Sequence, residues 1–274
     1  LTDASLPPAC NSDQLDVVVS SLPTPAFSPD STGCVGAPLS MNNTTTGADA
    51  YRWNFGDGTR DTGGDPDHIY RTTGSYTIEM EAISLNPLTN DELCSASFSS
   101  QVRIYEPPER VDFEPQLRAG CSPLTIDFAN ESLGERLTFN WDFGNGENSS
   151  DVAPQNVEFT AEVFDTTYAV RLSVTNGCGD SDAVDSITVF AQPTARFATE
   201  VRESYCSGEE VSIGHRSLAD SLVWDLGDGS VYLGEEPPVR QYFTGPDRND
   251  TIRLQLWAYN ECGVDTARQD LVIV

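Results

Sequence analysis

Trp141-Asp142-Phe143-Gly144-Asn145-Gly146 has two companions in the chain, Trp53-Asn54-Phe55-Gly56-Asp57-Gly58 and Trp224-Asp225-Leu226-Gly227-Asp228-Gly229. Working outward from each, a cysteine stands about 20 residues before the tryptophan, at Cys34, Cys121 and Cys206, and another about 40 residues after it, at Cys94, Cys178 and Cys262. Each copy opens on a proline followed by a phenylalanine: Pro25 and Phe27, Pro108 and Phe113, Pro193 and Phe197. A fixed order of markers met three times is an internal repeat. It divides the chain into modules at 23–106, 107–191 and 192–274.

Within a copy the apolar period is two. Val170, Leu172 and Val174 alternate with Arg171 and Ser173. Tyr76, Ile78 and Met80 form the same pattern in the first module, and Ile252, Leu254 and Leu256 in the third. That is the spacing of strands with one face buried, and no window carries a helical apolar stripe. Short strands between Gly, Pro, Asn and Asp turns predict an all-β chain of three tandem two-sheet sandwiches, each centred on one tryptophan.

Residues 1–22 are too short for a further module. Cys10-Asn11-Ser12-Asp13, then Val17-Val18-Val19, then Pro23 and Phe27 parallel Cys178-Gly179-Asp180-Ser181, then Ile187-Thr188-Val189, then Pro193 and Phe197. The segment reads as the closing turn and extended last strand of an upstream module, which makes Cys10 the odd cysteine, partnered outside the chain or unpaired. An arm adding its strand to a neighbouring subunit, or a frayed tail, stay open as alternatives.

Composition narrows the function. The 274 residues carry 43 acidic and 15 basic side chains, a net charge of −28. That surface repels a phosphate backbone and an anionic bilayer, so neither nucleic acid nor a membrane surface is an expected partner. The longest aliphatic run is Leu271-Val272-Ile273-Val274, far short of a spanning segment, so membrane insertion is not expected. All 15 basic residues are arginine, which removes lysine Schiff bases, P-loop phosphate binding and Lys–Asn isopeptide bonds. Seven cysteines without Cys-x-x-Cys spacing read as a disulfide framework and so as an extracytoplasmic protein.

The Trp-Asn-Phe-Gly-Asp-Gly stretch, with Asp65-Pro66-Asp67-His68-Ile69-Tyr70 and Gly74-Ser75-Tyr76-Thr77-Ile78 after it, resembles the PKD (polycystic kidney disease) domain, an immunoglobulin-like sandwich repeated in extracellular proteins. The second copy departs from it at Asn145 and Phe159. The third has Leu226 for the phenylalanine and lacks the Gly-x-Tyr turn. With its two cysteines per module and acidic surface, the chain is similar to secreted and gliding-associated surface proteins of Bacteroidota. The resemblance implies a spacer, adhesive or accessory module and no particular chemistry.

An immunoglobulin-like order also bears on the disulfides. Simple arithmetic pairs Cys34–Cys94, Cys121–Cys178 and Cys206–Cys262 within modules. The implied topology puts the first cysteine of a module at one pole and the second at the other, a strand length of roughly 33 Å apart, whereas a disulfide holds its Cα atoms within about 7 Å. Pairing across junctions, Cys34–Cys178 and Cys121–Cys262, meets that limit and leaves Cys94 and Cys206 without partners in the chain. Both schemes stay open.

Candidate chemistry is sparse. His68 and His215 are the only histidines, and no nucleophile elbow or zinc-protease motif accompanies them; both read as structural. Calcium is the one cofactor with candidate ligands, since hard cations take several oxygen donors. One set is Asp57, Asp61, Asp65 and Asp67; another, at a junction, is Glu106, Glu109, Asp112, Asp180 and Asp182. The plain alternative is a solvated acidic surface. Asn43 and Asn148 head Asn-x-Ser/Thr sequons, as do Asn42, Asn130 and Asn249, and Ser186, Ser221 and Thr266 sit in Asp-Ser/Thr-aliphatic triplets that resemble an O-glycan acceptor pattern. Trp257 and Tyr259 share one face of a strand and are expected in the core, sugar stacking being the rival. Together these readings predict a non-catalytic structural protein of an extracellular filament or surface adhesin, assembling head to tail with itself or within a longer repeat chain. The alternative is a polysaccharide-binding or accessory segment of a secreted hydrolase.

Overall fold

The computed structural model describes residues 21–198, 202–245 and 248–274. The segment expected to carry an upstream module's last strand, with Cys10, lies outside the described residues save for Ser21 and Leu22.

Among the described residues all regular secondary structure is β. Three hydrophobic cores form, from Phe27 to Ile104, from Phe113 to Ala191 and from Ala195 to Ile273, each around one tryptophan that is at most 1% exposed. The three cores define all-β immunoglobulin-like modules in tandem. By packing the chain forms two compact units. The first is 1–107 with the short segment 176–179; the second, 108–175 and 180–274, holds the second and third cores.

The second module shows how its sequence makes the sandwich. Thr138–Asp142, Thr166–Thr175 and Asp180–Phe190 are adjacent antiparallel strands, with Asn148–Ser149 beyond the first. Val170, Leu172 and Val174 turn inward and are fully buried, while Arg171 faces out, the alternation a half-buried strand requires. Leu124–Ile126 pairs with Val157–Phe159, and Phe113–Pro115 with Phe128–Asn130, to supply the opposing layer. Burying each of these large apolar side chains contributes about 1.5–3 kcal/mol.

One edge fixes where the cysteines go. The short strand Ala119–Cys121 runs parallel to the last strand, with Cys121 opposite Phe190. Thr32–Cys34 does the same against Glu92–Tyr105, with Cys34 opposite Tyr105, and Ser204–Tyr205 against Gly263–Ile273, with Tyr205 opposite Ile273. The first cysteine of each module therefore lies at the C-terminal end of the last strand. In the second module Cys178 occupies the turn at that strand's beginning, roughly 33 Å away at ~3.3 Å per residue.

Trp257 and Tyr259 correct one expectation. The core of strand Asp250–Asn260 is made by Leu254, Leu256 and Ala258, so the intervening Trp257 and Tyr259 point to the outer face, Tyr259 38% exposed. The period of two was legible; which phase faced inward was decided by packing around Trp224.

Candidate functional site

Two constellations recur from module to module, the signature turn and the junction cysteines. In the turn, the indole Nε1 of Trp53, Trp141 and Trp224 donates to the carbonyl ten residues on, at Gly63, Asp151 and Gly234, over 2.8–2.9 Å. The residue after the tryptophan accepts from the first glycine's amide: Asn54 from Gly56, Asp142 from Gly144, Asp225 from Gly227. The residue between the glycines accepts from the amide two residues on: Asp57 from Thr59, Asn145 from Glu147, Asp228 from Ser230. Asparagine at 145 thus keeps the aspartate's backbone bond and adds its own donor bond to the Glu158 carbonyl, 2.9 Å. Where Tyr70 and Tyr242 donate from their hydroxyls to Phe55 and Leu226 carbonyls, the second module has Phe159 and lacks that bond.

The first glycine of each turn is required. Gly56, Gly144 and Gly227 all have positive φ, and a Cβ there would lie 2.6–2.7 Å from a carbonyl oxygen of the neighbouring strand. Gly146 also has positive φ but open space around it. Gly144→Ala is therefore expected to cost at least about 2 kcal/mol, and Gly146→Ala only the conformational part, about 1 kcal/mol. Urea denaturation of the two variants measures the difference; equal losses rule out the carbonyl clash as the reason for the glycine.

Electrostatics at the turns serve structure. Burial pushes the Asp57 carboxyl up, yet hydrogen bonds from Thr59 and His68 outweigh it and hold the group below the ordinary aspartate range. Burial raises Tyr242 to about 12, with the charge of Asp228 adding to it, and raises Tyr70 in the same direction. His68 stacks flat on Phe55 at 4.0 Å and meets Asp57 at 2.8 Å. His215 Nδ1 accepts from the Ser217 amide, which leaves the ring proton on Nε2 facing Glu235 at 3.2 Å. Both histidines are held within their own modules' turns.

The proposed calcium sets are not brought together. Asp57 is turned to Thr59 and His68, Asp61 to the Gly63 amide, Asp65 to the Asn43 amide and Asp67 to the Ser40 hydroxyl. Of the junction set, Asp112 accepts from the Phe113 amide and Asp182 pairs with Arg171 at 2.8 Å; Glu106, Glu109 and Asp180 complete no cluster with them. Among the described residues no three of His, Cys, Asp and Glu come together as a cation site. Local backbone amides compete for the same carboxylate oxygens, a competition that sequence spacing does not show.

The modification candidates divide. Asn43 uses both ends of its amide, toward the Gly64 carbonyl and the Thr45 amide. Asn148, Ser186, Ser221 and Thr266 are exposed. The aspartates of two triplets have structural partners: Asp185 bonds the Ser186 amide and Arg118, and Asp265 bonds the Thr266 and Ala195 amides.

The cysteines form the second constellation. Cys34 joins Cys178 and Cys121 joins Cys262, with Cα–Cα distances of 5.3 and 5.4 Å. This is the across-junction set, each first cysteine bonded to the turn cysteine of the next module, and Cys94 and Cys206 are free thiols. An asparagine two residues before each turn cysteine locks the arrangement. Asn176 caps the Cys178 amide and donates to the Glu106 carbonyl at 2.6 Å; Asn260 caps the Cys262 amide and donates to the Ala191 carbonyl at 2.8 Å. The sequence reading passed over both, although Asn-x-Cys at 176–178 and again at 260–262 was the signal.

Residues 20–91 match the PKD domain family. Among solved structures, the chain is similar to three immunoglobulin domains of titin at 13% identity, covering 92% of this chain and 98% of that one, TM-score 0.48. An ICAM-5 ectodomain fragment shares 13% identity over 92% and 76%, TM-score 0.45, and Sidekick-1 immunoglobulin domains 1–5 share 14% over 92% and 58%, TM-score 0.39. The signature turn, its tryptophan bond and the His68–Tyr70 pair all lie inside the matched stretch, so the first module is the part of the chain that matches the PKD domain family.

Proposed function

We propose that the chain is a non-catalytic structural segment of an extracellular filament or surface adhesin. The observation that carries this reading is the placement of the disulfides. They do not staple single cores, which each already hold a buried tryptophan and a ring of aliphatics; they tie each module to the next module's turn. Such bonds persist only in an oxidising compartment, and their benefit is to the connection between modules. Both histidines and the best-placed carboxylates are engaged in turns. Antibody against the chain should label intact cells of the source organism, and external protease should remove the label. Protein found only inside cells that exclude the antibody refutes the reading.

The outer face of the third module favours one further reading, polysaccharide binding, because Trp257 and Tyr259 stand side by side away from the core. Aromatic faces of this kind stack on sugar rings. Pull-down on insoluble polysaccharide with the whole chain and with Trp257→Ala decides it, since only a sugar-binding face loses retention in the variant.

A further inference from the structure

Cys206 is built as Cys34 is built. Around Cys34 the Val35 amide bonds the Tyr105 carbonyl, the Gly36 amide bonds the Tyr70 carbonyl, and the Ala37 amide bonds the Cys34 carbonyl. Around Cys206 the same three bonds run from Ser207 to Val274, from Gly208 to Tyr242 and from Glu209 to Cys206, with Gly36 and Gly208 both at φ +79°. The loop that presents a disulfide sulfur in the first module is thus reproduced in the third, where the thiol is free and exposed.

Cys94 is the complementary half. At the bonded junction within the second unit, Cys262 Sγ lies 3.8 Å from the Phe190 carbonyl, where the preceding module's last strand ends. Cys94 Sγ lies 3.9 Å from the carbonyl of Ser21, one residue closer to Phe27 than Phe190 is to Phe197, and 3.0 Å from Ser84 Oγ. One chain therefore carries an unbonded first cysteine, Cys206, in the loop that is disulfide-bonded at Cys34, and an unbonded second cysteine, Cys94, which lies in the strand Glu92–Tyr105 opposite Ser84 and has Glu92 where Cys178 and Cys262 have an asparagine two residues before.

We infer that Cys206 of one copy bonds Cys94 of a second copy, joining chains head to tail through a third junction of the same kind. This rests on the structural reading above and names its partner, another copy of the chain. The chemistry is thiol–disulfide exchange with a small disulfide such as glutathione disulfide. The two thiols lose two protons and two electrons, the Cys206–Cys94 bond forms, and the donor's S–S bond is reduced to two thiols.

The test uses the whole chain with Cys10→Ser throughout, in a buffer of reduced and oxidised glutathione, read on non-reducing gels and by peptide mapping. The protein with both thiols should form a ladder that collapses to monomer with dithiothreitol, and a Cys206–Cys94 peptide should appear in the map. An equimolar mixture of Cys94→Ser and Cys206→Ser chains should give one band at twice the monomer mass, and neither variant alone should give any. Dimer from a single variant, both thiols still titratable in the mixture, or a cysteine outside this sequence bonded to Cys94 in native material each overturn the inference. None of these bears on surface labelling, so the structural reading fails or stands separately.

Discussion

Replacing Trp141 with alanine is expected to cost the second module about 3–5 kcal/mol, the range for removing a large aromatic from a packed core. For a module of this size that lowers its unfolding midpoint by roughly 20 °C. The indole is fully buried between Phe113 at 5.1 Å, Phe128 at 5.6 Å and Phe143 at 6.1 Å, so nothing nearby is free to fill the space. Its removal also orphans the Asp151 carbonyl that accepts from Nε1. Trp141→Phe keeps most of the volume and loses chiefly that bond, and should cost about 1–2 kcal/mol. Denaturant unfolding followed by near-ultraviolet circular dichroism measures both. A loss under about 1.5 kcal/mol for the alanine variant means that the tryptophan is not what the core is built around.

The second large effect comes from the Cys121–Cys262 bond. It closes a separation of 141 residues, for which loop-closure entropy predicts a stabilisation of about 4–5 kcal/mol. Cys121→Ser with Cys262→Ser removes it without leaving an odd thiol. The second unit should then lose its single unfolding transition and show two, because the bond that makes the second and third cores unfold together is gone. Calorimetry of the oxidised chain and the double variant reads this directly. A single transition at an unchanged midpoint in the variant shows that the noncovalent contacts at Asn260 and Asp265 couple the modules by themselves.

The all-β architecture was legible because its signals are local. The period of two in Val170 to Val174 and the Gly-x-Gly turns needing positive φ are properties of short stretches, and repetition three times removed the ambiguity any one of them carries. The poles of the cysteines were legible for a related reason, since strand length and disulfide reach are fixed quantities. The deciding fact, that Cys121 ends opposite Phe190, needed the edge pairing that only the fold supplies. What failed was anything depending on competition for a partner. Asp61 and Asp65 look like cation ligands until the Gly63 and Asn43 amides are seen to take them. Trp257 and Leu256 look interchangeable as core until packing chooses one face. Asn176 and Asn260 were missed because their role appears only when a linker carbonyl is brought to them.

The two bonds overlap along the sequence, 34 to 178 and 121 to 262, and this reroutes mechanical tension. A pull between the ends passes from residue 34 straight to 178, back along the polypeptide to 121, and on to 262. The taut path holds about 100 residues, against about 270 for the reduced chain, or roughly 360 Å of contour against roughly 960 Å at ~3.5 Å per residue. The bodies of the first and third modules drop out of the load path, and only the middle one is strained, backwards, between its own two cysteines. Oxidation makes the chain short and hard to overstretch, and a reductant nearly triples its reach.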